Sequence, residues 1–257
     1  MKLRMYCVKW LATPFVLSCL LSPLANAQLN VIFEKPASHV EISTKHQLTK
    51  TDAIDVLVES IKTSLVIKPP ITLVFGGEEG PLYDSEEKRI YIPYAFIDEV
   101  KARFTQSDYA KTGVSVEDAM FDALMHTVFH ELGHALIDIY QLPVVGQEED
   151  AVDSLATILL IELFEEGQEI AISAADLFDL ESQDIDEFEE EDFWDEHSLD
   201  VQRYYNTLCY VYGSTPNKYK SLAREAGFSK ERMELCIDDY ERQRDSWFKI
   251  LKNYLKH

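Results

Sequence analysis

The chain has 257 residues, with 46 acidic against 24 basic side chains and a formal net charge of −22. A surface this negative disfavours nucleic acid and anionic membranes as partners. The length suffices for one domain with a substantial core and a helical extension.

The N-terminus reads as a secretory leader. Lys2, Arg4 and Lys9 precede an apolar run over 10–24, and Ala25-Asn26-Ala27 offers small residues at both cleavage-site positions before Gln28. The run is short and broken by Pro14 and Pro23, which argues against an anchor, and no long apolar run follows it. We therefore expect residues 1–27 to be a signal peptide, no stable membrane insertion after its removal, and an exported protein, periplasmic or secreted. Val16-Leu17-Ser18-Cys19 loosely resembles a lipoprotein box, so lipid anchoring at Cys19 is the minor alternative. Loss of the leader takes away three cations and no anions, moving the charge from −22 to −25. Cys7 and Cys19 leave with it. Cys209 and Cys236 remain and read as one disulfide stapling the C-terminal helices, two buried thiols being the alternative.

In chain order, residues 30–34 read as a short apolar strand. Residues 52–65 carry helical spacing in Ile54, Leu57, Val58 and Ile61, with Thr51 as a cap, and Pro69-Pro70 ends that unit. Residues 71–75 read as a buried strand, 76–80 as a turn and 89–94 as a further strand closing at Pro93. Ile90 to Tyr94 is the candidate edge strand for pairing with an extended peptide, with a purely structural strand as the alternative. Gly113 and Ser115 open a helix with Glu117 and Asp118 in its first turn, where negative charge suits the dipole. It runs to about Tyr140 and stops at Leu142-Pro143. A second helix begins near Gln147.

The first of these two helices carries His130-Glu131-Leu132-Gly133-His134. At about 100° per residue, Val128, Leu132, Ala135, Leu136 and Ile139 share an apolar stripe, while His130, Glu131, His134 and Asp138 form a separate polar face. Two histidines four apart can hold one zinc ion, and the glutamate after the first can serve as general base to a bound water. Gly133 costs about 1 kcal/mol relative to Ala in a helix interior, so a close approach by another element is expected there.

A catalytic zinc takes three protein ligands and keeps one position open, so a third partner is required. On the second helix Glu149 and Asp153 are spaced i, i+4 and share a face. Glu149 can bind the metal while Asp153 takes the free N–H of a ligating histidine. Glu148 and Asp150 are competing third ligands. His126, one turn before His130, reads as a hydrogen-bonded structural histidine or a neighbour of the site. Asp138 reads as either a supporting or a surface carboxylate.

HELGHALIDIY followed by EEDAVD resembles the gluzincin branch of zinc peptidases, in which HExxH is followed by a helix bearing Glu-xxx-Asp. The resemblance implies zinc on His130, His134 and Glu149, the general base on Glu131 and an orienting carboxylate on Asp153. The segments PLYD, IPYAF, HELGHALID, GQEEDAVD and FWDEHSLDVQRYYNTLCYVYGS, with Cys236, further resemble a bacterial metallopeptidase family, formerly a domain of unknown function, whose activity is itself inferred.

Residues 165–196 are the acidic part of the chain, and like charges this dense predict a solvated loop, with a flap over the cleft or a weak calcium site as alternatives. Phe188, Phe193 and Trp194 suggest that the segment docks. For the oxyanion of peptide hydrolysis, His197, Arg203 and Tyr204 are candidates by residue type, His197 first. From Lys218 onward the apolar spacing is helical. The expected fold is α+β and zincin-like: a small N-terminal sheet packed on the HExxH helix, then a mainly helical C-terminal part. Residues 28–196 would form the catalytic core with the acidic loop at its end, and 197–257 a helical subdomain packed on it. The expected activity is that of a zinc-dependent metalloendopeptidase with one zinc ion, acting on a peptide or protein substrate. A noncatalytic zinc-binding or interaction module is the alternative.

Overall fold

The computed structural model describes residues 29–185 and 187–256, except the side chain of Glu191. The expected leader, with Cys7 and Cys19, lies outside the described residues. The architecture is α+β: four short strands in the N-terminal third, followed by helices. Strand β1 (Leu29–Phe33) leads into helices α1 (His39–Lys50) and α2 (Ala53–Ser64), and then come β2 (Ile71–Phe75), β3 (Leu82–Asp84) and β4 (Arg89–Ile92). The sheet order is β1-β2-β4-β3, parallel except for β3, which runs antiparallel to β4.

This order corrects the edge-strand expectation. β4 is paired on both sides, with Ile90 opposite Leu73 and Tyr83, so the segment 90–94 offers no free edge. The free edge at that end belongs to β3. Two helices escape the apolar-spacing criterion. In α1 the signal is a cap: Ser38 Oγ accepts the Glu41 backbone N–H while the Glu41 carboxylate accepts that of Ala37. Helix α3 (Tyr94–Gln106) follows β4 directly after Pro93. Thr51 closes α1 rather than capping α2, whose N-cap is Asp52.

Helix α4 (Val116–Tyr140) is the centre of the molecule, capped by Ser115 Oγ on the Asp118 N–H. It touches β3, β4, α3, α5 (Glu148–Leu163) and α6 (Gly167–Ser182). α6 occupies the first half of the stretch expected to be a solvated loop. Its Ile170, Ala171, Ala174, Ala175, Leu177 and Phe178 are buried, so apolar spacing overrides acidic composition there. The segment after Ser182 is mostly irregular, with one 3-10 turn at Glu191–Phe193, and in it Phe188, Phe193 and Trp194 are 51%, 69% and 67% exposed instead of docked.

Helices α7 (Asp200–Ser214), α8 (Lys220–Glu225) and α9 (Lys230–Ile250) complete the chain. α7 packs on α6 and α9, and Cys209 is bonded to Cys236 across the α7–α9 contact. Gly213 permits that contact, since a Cβ there would lie 2.2 Å from the Cys236 carbonyl oxygen. The tail returns to the N-terminal half, where Val66 N–H donates to Tyr254 O at 2.7 Å and the Tyr140 and Tyr254 rings stack. The disulfide closes a loop of 27 residues, so reduction is expected to cost about 2–4 kcal/mol. Urea unfolding with and without reductant measures this, and equal midpoints would refute it. No helix among the described residues is long and apolar enough to cross a membrane.

Candidate metal centre

Gly133 is where α5 approaches α4. A Cβ at that position would stand 2.9 Å from both Cβ and Cγ1 of Val152, which is the close approach expected from the sequence. The contact brings the first turns of α5 beside the polar face of α4. Gly133→Ala is therefore expected to destabilise the protein by about 1–3 kcal/mol and to weaken metal binding by pushing α5 away. Thermal unfolding and metal titration of the variant check this, and wild-type values in both would remove the role.

At the junction, His130 Nε2 lies 3.1 Å from Glu149 Oε2 and His134 Nε2 lies 3.3 Å from Glu149 Oε1. A third imidazole joins from the segment before α7, with His197 Nε2 at 3.0 Å from Glu149 Oε2. Each ring carries a carboxylate on its other nitrogen. His130 Nδ1 meets Asp153 at 2.7 Å, His134 Nδ1 meets Glu148 at 2.8 Å and His197 Nδ1 meets Asp195 at 3.3 Å. Both nitrogens of each ring therefore face carboxylates, which accept hydrogen bonds and do not donate them. The three Nε2 atoms converge on Glu149, and with a cation in place of the Nε2 proton each ring would keep its proton on Nδ1.

Protons on the rings or one cation among them can satisfy this arrangement, and Glu149 Oε2 is buried with no hydrogen-bond partner of good geometry. Burial alone would raise the Glu149 pKa, but the three imidazoles hold it far below the carboxylate range. Burial would lower that of His130, yet Asp153 and Glu149 push it up to about 9. The cluster is thus built around positive charge. His130, Glu149 and His197 offer donor atoms all within 4.8 Å of one another, and His134 joins through Glu149. Imidazole nitrogens with one carboxylate suit a divalent transition metal.

Asp153 is itself held. Arg203 Nε donates to its Oδ2 at 2.7 Å and Arg203 Nη2 to its Oδ1 at 3.0 Å, with the guanidinium 4.0 Å from the Phe178 ring centre. Arg203 therefore stands behind the ligand shell, not on its open side as an oxyanion donor. Tyr204 packs edge-on against Tyr205, and its pKa is raised to about 12 by burial and by Asp176 and Asp179, away from the histidines. Glu148 faces His134 Nδ1 and not the Nε2 cluster, and Asp150 lines a separate cavity beside Trp247. His126 is buried, bonded to Thr157 at 3.3 Å and pushed down to about 4 by desolvation, as a structural histidine should be.

The open side is a cleft of about 390 Å³, bordered by Leu82, Tyr83, Glu131, Glu196 and His197. Its β3 wall is fastened to α4 through Asp138, which accepts Tyr83 OH at 2.7 Å and pairs with Lys88 at 2.5 Å. Glu131 projects into the cleft, 6% exposed. Burial raises its pKa against the lowering effect of His130, His134 and the Tyr83 backbone N–H. Neither Arg203 behind Asp153 nor Asp195 behind His197 was identifiable as a supporting group from the sequence, because no local spacing links them to the helices.

A glutamate beside two helix-borne histidines, with an acidic third partner from the next helix, places the protein among candidate metal-dependent hydrolases. The chain belongs to the family described as "Putative metallopeptidase", whose profile matches residues 33–251. Comparison with curated proteins and with solved structures yields no match.

Proposed function

We propose that the protein is a zinc-dependent endopeptidase in which His130, His134 and Glu149 hold the metal and Glu131 is the general base. The observation that carries this reading is the convergence of Nε2 atoms on Glu149, each ring backed by a carboxylate on Nδ1. Zinc supplies, when bound, the Lewis acidity that brings the pKa of a water to about 7. Glu131 takes the proton of the attacking water and delivers it to the leaving amine. The Tyr83 N–H and the two neighbouring imidazoles fix and tune that carboxylate. The free edge of β3 along the cleft suits an extended peptide, which would pair with it as an added strand. Asp153, fixed by Arg203, orients His130.

The disulfide supports export into an oxidising compartment, in keeping with cleavage of the leader after residue 27. A noncatalytic metal-binding module is the second reading, favoured by one observation: three imidazoles and a carboxylate make four donors, the number that closes a structural zinc site.

Metal analysis of the purified mature protein is expected to give one zinc per chain, and His134→Ala to lose it. Cleavage of a peptide library by wild type then separates the readings. Bound zinc without any cleavage would favour the module, and no stoichiometric metal would end both.

A further inference from the structure

We propose that His197 is a fourth metal ligand, supplied by the acidic segment, and that it fills the coordination position which the attacking water requires. The arrangement described here is then a resting form, activated when the segment withdraws His197. The inference rests on the metal reading above.

Three observations carry it. First, His197 repeats the geometry of the other two imidazoles, with Nε2 on Glu149 at 3.0 Å and Nδ1 on a carboxylate, Asp195, at 3.3 Å. Its ring lies nearly parallel to that of His130, with centroids 6.2 Å apart. Second, the ring has a partner for its proton on the far side from the cluster. With a metal ion in place of a proton on Nε2, Asp195 accepts from Nδ1, the pairing that orients a ligating imidazole, whereas an oxyanion donor would need the hydrogen on Nε2. Third, its attachment differs from that of its partners. His130, His134 and Glu149 project from α4 and α5, and their side chains are 8%, 17% and 14% exposed. The His197 side chain is 41% exposed and lies on a segment whose bonds near His197 are local, Glu189 N–H to Asp192 and His197 N–H to Asp195, the ion pair of Asp184 with Arg103 lying at its far end. The large side chains of that segment are exposed. A segment with so few buried apolar contacts opens at low free-energy cost, and near the cleft its contact with the core is that of His197 with Glu149.

The test uses the full mature protein loaded with zinc, and His197→Ala. In competition with a chelator of known affinity, the variant is expected to bind zinc at least about tenfold more weakly. With cobalt(II) in place of zinc, its visible absorption should weaken as water replaces a nitrogen donor. If the resting form dominates by the same factor, peptide cleavage should rise by up to about tenfold. Asp195→Asn, which loosens the tautomer without removing the ring, should shift all three readouts in the same direction by less. Unchanged zinc affinity and an unchanged cobalt spectrum would overturn the proposal while leaving the peptidase reading intact. A loss of cleavage of about 10²–10³-fold at unchanged affinity would instead make His197 the oxyanion donor. Absence of metal from wild type would overturn both readings together.

Discussion

Glu131→Gln is expected to lower peptide turnover by about 10²–10⁴-fold while zinc stays bound. The glutamine keeps the shape of the side chain and its acceptor oxygen for the Tyr83 N–H, but it cannot take a proton. None of the donor atoms around Glu149 belongs to residue 131, so the metal site should survive. Burial raises the Glu131 pKa above the ordinary carboxylate range against the lowering effect of the adjacent histidines, which makes it a stronger base beside the cleft. Turnover numbers and zinc content measured on one preparation check the prediction. Activity within about tenfold of wild type would remove Glu131 from the chemistry.

Arg203→Met should be the most destabilising single change near the site. The Arg203 and Asp153 side chains are 16% and 15% exposed and are joined by two hydrogen bonds. Burial would raise the Asp153 pKa, but His130 and Arg203 hold it well below the carboxylate range. Removing one partner of such a pair leaves the buried Asp153 charge with His130 alone to offset it and costs about 3–5 kcal/mol. Because Asp153 also accepts from His130 Nδ1, metal affinity should fall with stability. Urea unfolding of wild type and variant decides the point; a loss under about 1 kcal/mol would mean that water reaches Asp153 and replaces the guanidinium.

The expectations that held were those fixed by geometry within a few residues. The i, i+4 pairs His130/His134 and Glu149/Asp153 each lie on one face of a helix because of the helical repeat alone, and Gly133 announced a close approach through its cost in a helix interior. The strand 71–75 and the α4 cap at Ser115 were legible for the same local reason. Where composition was read without periodicity, the reading failed. Residues 167–182 are acidic yet fold as a buried helix, because the apolar spacing from Ile170 to Phe178 outweighs charge that can point to solvent.

By itself the sequence determined the chemistry on offer: two imidazoles and a base on one helix, carboxylates on the next, and a pair of cysteines. Tertiary structure decided which of these groups meet. Glu149, not Glu148, faces the Nε2 atoms because Val152 packs on Gly133 and sets the rotation of α5. β3 became the free edge because β4 is paired on both sides, and Arg203 and His197 reached the site from across the sequence. The physical reason is that helical spacing follows from backbone geometry, whereas the contact between distant segments follows from which apolar surfaces exclude water together, and that is a property of the whole chain.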